Sequence, residues 1–121
     1  MNKIIISGHL TKNPELHYTV TQKAVVTFTL AVDRLFVNAQ GVRETDFIPI
    51  VFWGNTAELV NSNCTKGQRL LVEGRLQIRN YDDKNGEKRW FSEVVGDRIE
   101  FLEHKATSIK ESSNDNEEIP F

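Results

Sequence analysis

Alternation with a period of two runs through most of the chain. Lys3 to Leu10, Ala24 to Val32, Phe47 to Trp53, Arg69 to Tyr81 and Arg89 to Phe101 each place β-branched or aromatic side chains at every second position, the last with an interruption at Gly96. Five strands are predicted. Successive side chains of a strand point to opposite faces, so Ile48, Ile50 and Phe52 share one face and Phe47, Pro49, Val51 and Trp53 the other. The fourth segment splits into an inward set of Leu70, Val72, Gly74, Leu76 and Ile78 and an outward set of Glu73, Arg75, Gln77, Arg79 and Tyr81. Phe28 and Phe52 fall in the inward phase and are assigned to the core.

One stretch breaks the alternation. Between the third and fourth strands, Asn55 with Glu58 three positions on has the form of a capping box, Ala57, Val60 and Cys64 fall on one helical face, and Lys66-Gly67 supplies a stop. A helix is predicted there, with Cys64 as a small buried hydrophobe. Two connections are long: Asp33 to Asp46, holding Asn38, Gln40 and Gly41, and Asn80 to Lys88, whose Asn85-Gly86 is a hairpin-turn signal. Five strands, one helix after the third and long hairpin loops describe an all-β fold, a partly open five-stranded barrel of the oligonucleotide/oligosaccharide-binding (OB) kind. An SH3-like barrel is the competing all-β arrangement, but it has no place for that helix.

Length adds that 121 residues make one domain with a self-sufficient core, here taken as residues 1–104, followed by a tail over residues 105–121. A single cysteine excludes an intramolecular disulfide, Ile4-Ile5-Ile6 is too short for the apolar part of a signal peptide, and no apolar run approaches membrane-spanning length. A cytoplasmic home is expected, which makes Asn63-Cys64-Thr65 a chance glycosylation pattern. The net charge of −2 lies wholly in the tail, and residues 1–104 are neutral. Taken whole, this argues against a simple basic nucleic-acid binder, and function must depend on where the charges sit.

They sit among rings. Phe47 and Trp53 on the third strand and Arg75, Arg79 and Tyr81 on the fourth interleave aromatic and cationic groups; Arg34, Phe36 and Arg43 in the first long loop and Lys84, Lys88, Arg89 and Trp90 in the second extend the series. Unpaired nucleobases expose π-faces that stack on such rings for about 1–3 kcal/mol each, and the phosphates between them need cations at intervals. A duplex hides those faces. Trp53 also suits an interface between copies of the chain. Catalytic chemistry finds little support: the glycines form no phosphate-cradling loop, His9, His17, His104 and Cys64 have no metal-ligand spacing, and Asp82-Asp83 lies in a turn.

The chain resembles the bacterial single-stranded DNA-binding proteins. The likeness spans most of residues 2–104 and is carried by the run Asn2 to Leu16, by Phe28-Thr29-Leu30-Ala31-Val32, by Lys66-Gly67 with Val72-Glu73-Gly74-Arg75-Leu76, by Glu93-Val94-Val95, and by the terminal Glu118-Ile119-Pro120-Phe121. It implies an OB barrel assembled as a homotetramer that coats single-stranded DNA without sequence preference during replication, recombination and repair, in the cytoplasm with the nucleoid. It implies no catalysis, cofactor or metal. Ring positions of the family match Phe36, Phe47, Trp53 and Tyr81 and basic positions match Lys66 and Arg79, whereas Arg75 comes from strand phase alone. Several of the family's usual tryptophans are Phe or Tyr here.

The tail reads as a polar, acidic, disordered tether with a ligand at its end. Pro120 fixes φ and cuts the entropy lost on docking, Ile119 and Phe121 offer two anchors, and Asp115, Glu117, Glu118 and the terminal carboxylate offer charge to a basic rim. The resemblance makes this tip the docking site for replication, recombination and repair proteins. The tether lacks the family's long Gly-, Gln- and Pro-rich linker and reaches about 20–25 Å as a coil, which fits a phage- or plasmid-encoded member. The competing functional reading is an OB-fold protein-interaction module with incidental nucleic-acid affinity, supported by the neutral body.

Overall fold

The computed structural model describes residues 1–102, so the tail and its tip lie outside the described residues. The order of elements is β1 (Ile4–Leu10), β2 (Glu15–Tyr18), β3 (Ala24–Val37), β4 (Arg43–Trp53), α1 (Asn55–Asn63), β5 (Arg69–Asp82) and β6 (Lys88–Phe101). The strands run β1-β5-β6-β4-β3-β2 around the sheet, and an additional β1–β3 pairing closes it. All neighbours are antiparallel except β4 and β6, which meet in parallel at Ile50↔Val94 and Val51↔Val95.

Six strands make five staves. Both β1 and β2 pair with β3, through His9↔Ala31 and Leu10↔Leu30 and then through Glu15↔Thr27 to Tyr18↔Ala24. They are two parts of one bent stave, broken where Pro14 cannot donate to the ladder. The barrel is the predicted five-stranded OB arrangement with its helix between the third and fourth staves. Glu15–Tyr18 escaped prediction because Glu-Leu-His-Tyr carries no β-branched residue.

The interior is filled from every side by Leu10, Val26, Leu30, Ile50, Phe52, Leu70, Val72 and Val94, all nearly inaccessible to solvent. Phe28 and Phe52 lie in it as expected, their rings parallel and 6.3 Å apart. The α1 helix closes one end with Ala57 and Val60, and buried Cys64 follows them. The capping box does not form. Gly54 is the N-cap, its φ of 70° turning the chain from β4 into the helix, and its carbonyl accepts from the N–H groups of Ala57 and Glu58. Glu58 instead accepts the Tyr18 hydroxyl at 3.2 Å, which ties β2 to the helix and pushes the tyrosine pKa up.

The two long connections are shorter than predicted, because β3 and β4 continue as an antiparallel arm beyond the barrel, as do β5 and β6. The β5–β6 ribbon leaves the barrel at a bulge between Glu73 and Gly74, where Gly74 faces Gly96. A Cβ on Gly96 would clash with the Cζ and Cε atoms of the Phe52 ring, and one on Gly74 would strike the Val95 carbonyl oxygen. Beyond this corner the inward phase of β5 runs out of barrel to face: Leu76 and Ile78, predicted as core, are 42% and 56% exposed.

Candidate functional site

Residues directly opposite in an antiparallel ladder share a face. On β3 and β4 the pairs Val25↔Trp53, Thr27↔Val51, Thr29↔Pro49 and Ala31↔Phe47 form one outer surface. On β5 and β6 the pairs Arg75↔Val95, Gln77↔Glu93, Arg79↔Phe91 and Tyr81↔Arg89 form another, and the Val51↔Val95 contact joins the two. Strand register thus collects Phe47, Trp53, Arg75, Arg79, Tyr81 and Arg89 on one wall. Phe47, Trp53 and Tyr81 are 65%, 43% and 53% exposed, aromatic rings that no element among the described residues covers.

Two clefts cross this wall. One of about 340 Å³ is lined by Lys12, Asn13, Glu15, Thr27, Thr29, Pro49, Arg79, Phe91 and Glu93. The other, about 270 Å³, is lined by Val25, Thr27, Val51, Trp53, Gln77, Arg79 and Glu93. Sharing Thr27, Arg79 and Glu93, they make one groove from Trp53 to Phe91. Lys66, in the connection after the helix, reaches its edge through a backbone N–H donated to the Asn13 side-chain oxygen at 2.8 Å.

The arms end in turns of the same chemistry. The Asn38 side-chain oxygen accepts from the N–H groups of Gln40 and Val42, and the Asp83 carboxylate accepts from those of Asn85 and Glu87. In each, a glycine three positions on, Gly41 or Gly86, takes the positive φ that the turn requires. Those N–H groups, with Arg89 beside them at 2.8 Å, pull the Asp83 pKa below its usual range. On the first arm, Arg34 bridges Asp46 and Glu44, both at 2.9 Å; Asp46 is held below the usual carboxylate range and Arg34 is pushed up. Arg43 donates to the carbonyls of Arg34 and Leu35 across the arm, and Phe36 is 82% exposed.

The cations therefore fall into two groups. Arg34, Arg79 and Arg89 each carry a carboxylate partner. Among the described residues Arg75, Lys66, Lys84 and Lys88 have none, and Lys23 lies over the Trp53 ring, 5.5 Å from its centroid. Neutral residues 1–104 can still present positive charge, because carboxylates are spent on particular arginines and not on others. Trp90 and Lys88 are not brought to the wall: they pair with Asn80 and Asp82, out of phase with Arg79 and Tyr81, so they face the other side of the ribbon. Lys84 sits in the turn at its tip.

Reading the sequence gave Phe91, Glu93 and Lys12 no place at the site and put Gln77 on the outer face without a role. Counting outward from the Asn85-Gly86 turn sets Asp82 opposite Lys88 and hence Arg79 opposite Phe91, so the first two were reachable from the turn. Lys12 was not, since it enters the groove from the break between β1 and β2. No group of three or more His, Cys, Asp or Glu among the described residues is placed to hold a metal ion, and no described helix is long and apolar enough to cross a membrane.

Known proteins match the chain over the residues that build this barrel. The single-strand binding protein family matches residues 1–102. A single-stranded DNA-binding protein of Caldanaerobacter subterraneus is 47% identical over 88% of this chain and 71% of its own length. Single-stranded DNA-binding protein 2 of Listeria monocytogenes is 44% identical over 96% of this chain and 72% of its own. Single-stranded DNA-binding protein 1 of Staphylococcus aureus is 50% identical over 88% and 69%. With an OB barrel, a ring-lined outer wall and relatives of this kind, the chain belongs to the single-strand binding protein family.

Proposed function

We propose that this protein binds single-stranded DNA without sequence preference along the groove between Trp53 and Phe91, and protects it during replication, recombination and repair. The observation that carries the reading is the shared outer wall: Phe47, Trp53 and Tyr81 stand exposed in phase with Arg75 and Arg79. Bases stack on the rings, and phosphates meet cations that no carboxylate holds, Arg75 and Lys66 first. Base pairing and stacking occupy those faces in a duplex, so selectivity for single strands needs no base-specific contact. The names of the relatives support the same ligand.

The test is titration of dT oligomers against tryptophan fluorescence at several NaCl concentrations, beside an equal mass of duplex. Tight, salt-weakened binding of the oligomer over the duplex is expected. Equal binding of both forms would sink the reading.

Two finer elements belong to it. The protein is a homotetramer, supported by the ribbon face on which Leu76, Ile78 and Trp90 stand exposed with no element among the described residues covering them. The tip Ile119–Phe121, with Asp115, Glu117 and Glu118 before it, recruits partner proteins; deleting the last three residues leaves oligomer binding intact and abolishes partner capture.

A further inference from the structure

Resting on that reading, we propose that Arg79 is the seat of a stacked nucleobase and not a phosphate ligand, with Glu93 as its positioning residue. The Glu93 carboxylate lies at the floor of the groove, its side chain 10% exposed, while the Arg79 side chain above it is 56% exposed. Glu93 Oε2 accepts from Arg79 Nε at 2.8 Å and from Gln77 Nε2 at 3.0 Å, and Oε1 takes Arg79 Nη2 at 3.4 Å. One edge of the guanidinium is thereby fixed. One flat face is taken as well, because Cζ lies 5.2 Å from the centroid of the Phe91 ring directly across the ladder.

What remains to a ligand is the opposite π-face and the Nη1 corner, and Arg79 lines both clefts of the groove. Charge decides which part of a DNA strand comes there. A phosphate approaching Arg79 meets the Glu93 carboxylate behind it and Glu15 on the cleft wall, against one further cation in the lining, Lys12, with Lys66 only at the edge. Two positive and two negative groups give it no net attraction. A nucleobase is neutral, loses nothing to those carboxylates, and stacks on a guanidinium plane as it does on a ring. Arg75, on the same strand and face, has no carboxylate partner among the described residues and remains the phosphate ligand.

The experiment measures binding of a dye-labelled dT oligomer by anisotropy across a NaCl series, for the wild-type chain, Arg79→Gln and Glu93→Gln. It is repeated with an abasic oligomer of equal length, and thermal melts confirm that the variants fold. Arg79→Gln should weaken dT binding about tenfold at every salt concentration with no change in the slope of log K against log [salt], and the loss should vanish on the abasic oligomer. Glu93→Gln, which uncovers the guanidinium charge while keeping an acceptor, should steepen the slope by about 0.7. The proposal is overturned if Arg79→Gln flattens the slope by about 0.7 and weakens the abasic oligomer equally, or if Glu93→Gln leaves the slope unchanged. Should Glu93→Gln fail to fold, the exposed Arg79→Gln still decides. A wild-type chain that ignores the dT oligomer removes the parent reading and the seat together, whereas binding with a flattened Arg79→Gln slope removes the seat alone.

Discussion

The two halves of β5 carry the same alternation and meet different fates. From Arg69 to Gly74 every second residue is buried in the barrel; from Arg75 to Asp82 none is. The pattern Leu-x-Val-x-Gly-x-Leu-x-Ile gives no hint of the change. It teaches that a period of two identifies faces but not what lies against them: a face becomes core only where other staves close over it, and β5 outruns them at the Gly74–Gly96 corner.

The largest effect should separate the halves directly. Leu70→Ala, at a site with no exposure, should cost about 2–5 kcal/mol in denaturant unfolding, whereas Leu76→Ala should cost under about 1 kcal/mol. Equal losses would break the comparison. Next, Gly96→Ala should cost about 1–3 kcal/mol, since the new methyl must displace the Phe52 ring that packs there, while the same change at open Gly41 acts only through its φ of 79°. Chemical unfolding of the two variants measures the difference.

A smaller effect on stability and a larger one on mass should follow Leu76→Ser with Ile78→Ser. Light scattering should show smaller assemblies, with unfolding free energy changed by about 0.5 kcal/mol at most per site if the ribbon face serves association and not the core. An unchanged mass would assign that face elsewhere. The smallest effect should come from acid. Asp83 and Asp46 have pKa values lowered in the folded chain, so their contribution is present above the usual carboxylate range and is lost as pH falls through it toward the folded values. Solvent reaches both, Asp46 at 47% and Asp83 at 18% side-chain exposure, so melts between pH 6 and 3 should fall only slightly less steeply in Asp83→Asn than in the wild-type chain.

The barrel was legible because its strands are rich in β-branched residues and its helix interrupts them with a period that only a helix satisfies. Phe28 and Phe52 were assigned to the core, Cys64 to a buried site and Ala57 and Val60 to one helical face, and all five are buried. The stave break at Pro14, the capping role of Gly54 and the exposure of Leu76 and Ile78 were not legible, because each depends on what another segment does in space. The wall followed from alternation alone at Phe47, Trp53, Arg75, Arg79 and Tyr81. Glu93 escaped attention because a glutamate in a strand reads as solvent-facing until its partner across the ladder is known to be a glutamine beside an arginine.

The Phe52 ring lies where Gly96 leaves room for it, immediately inside the bend at which the ribbon departs. It fills the space that the missing Cβ leaves there, so the barrel interior and the ribbon's point of departure share one packed site. A residue at position 96 larger than glycine would therefore be felt in the core and at the corner together.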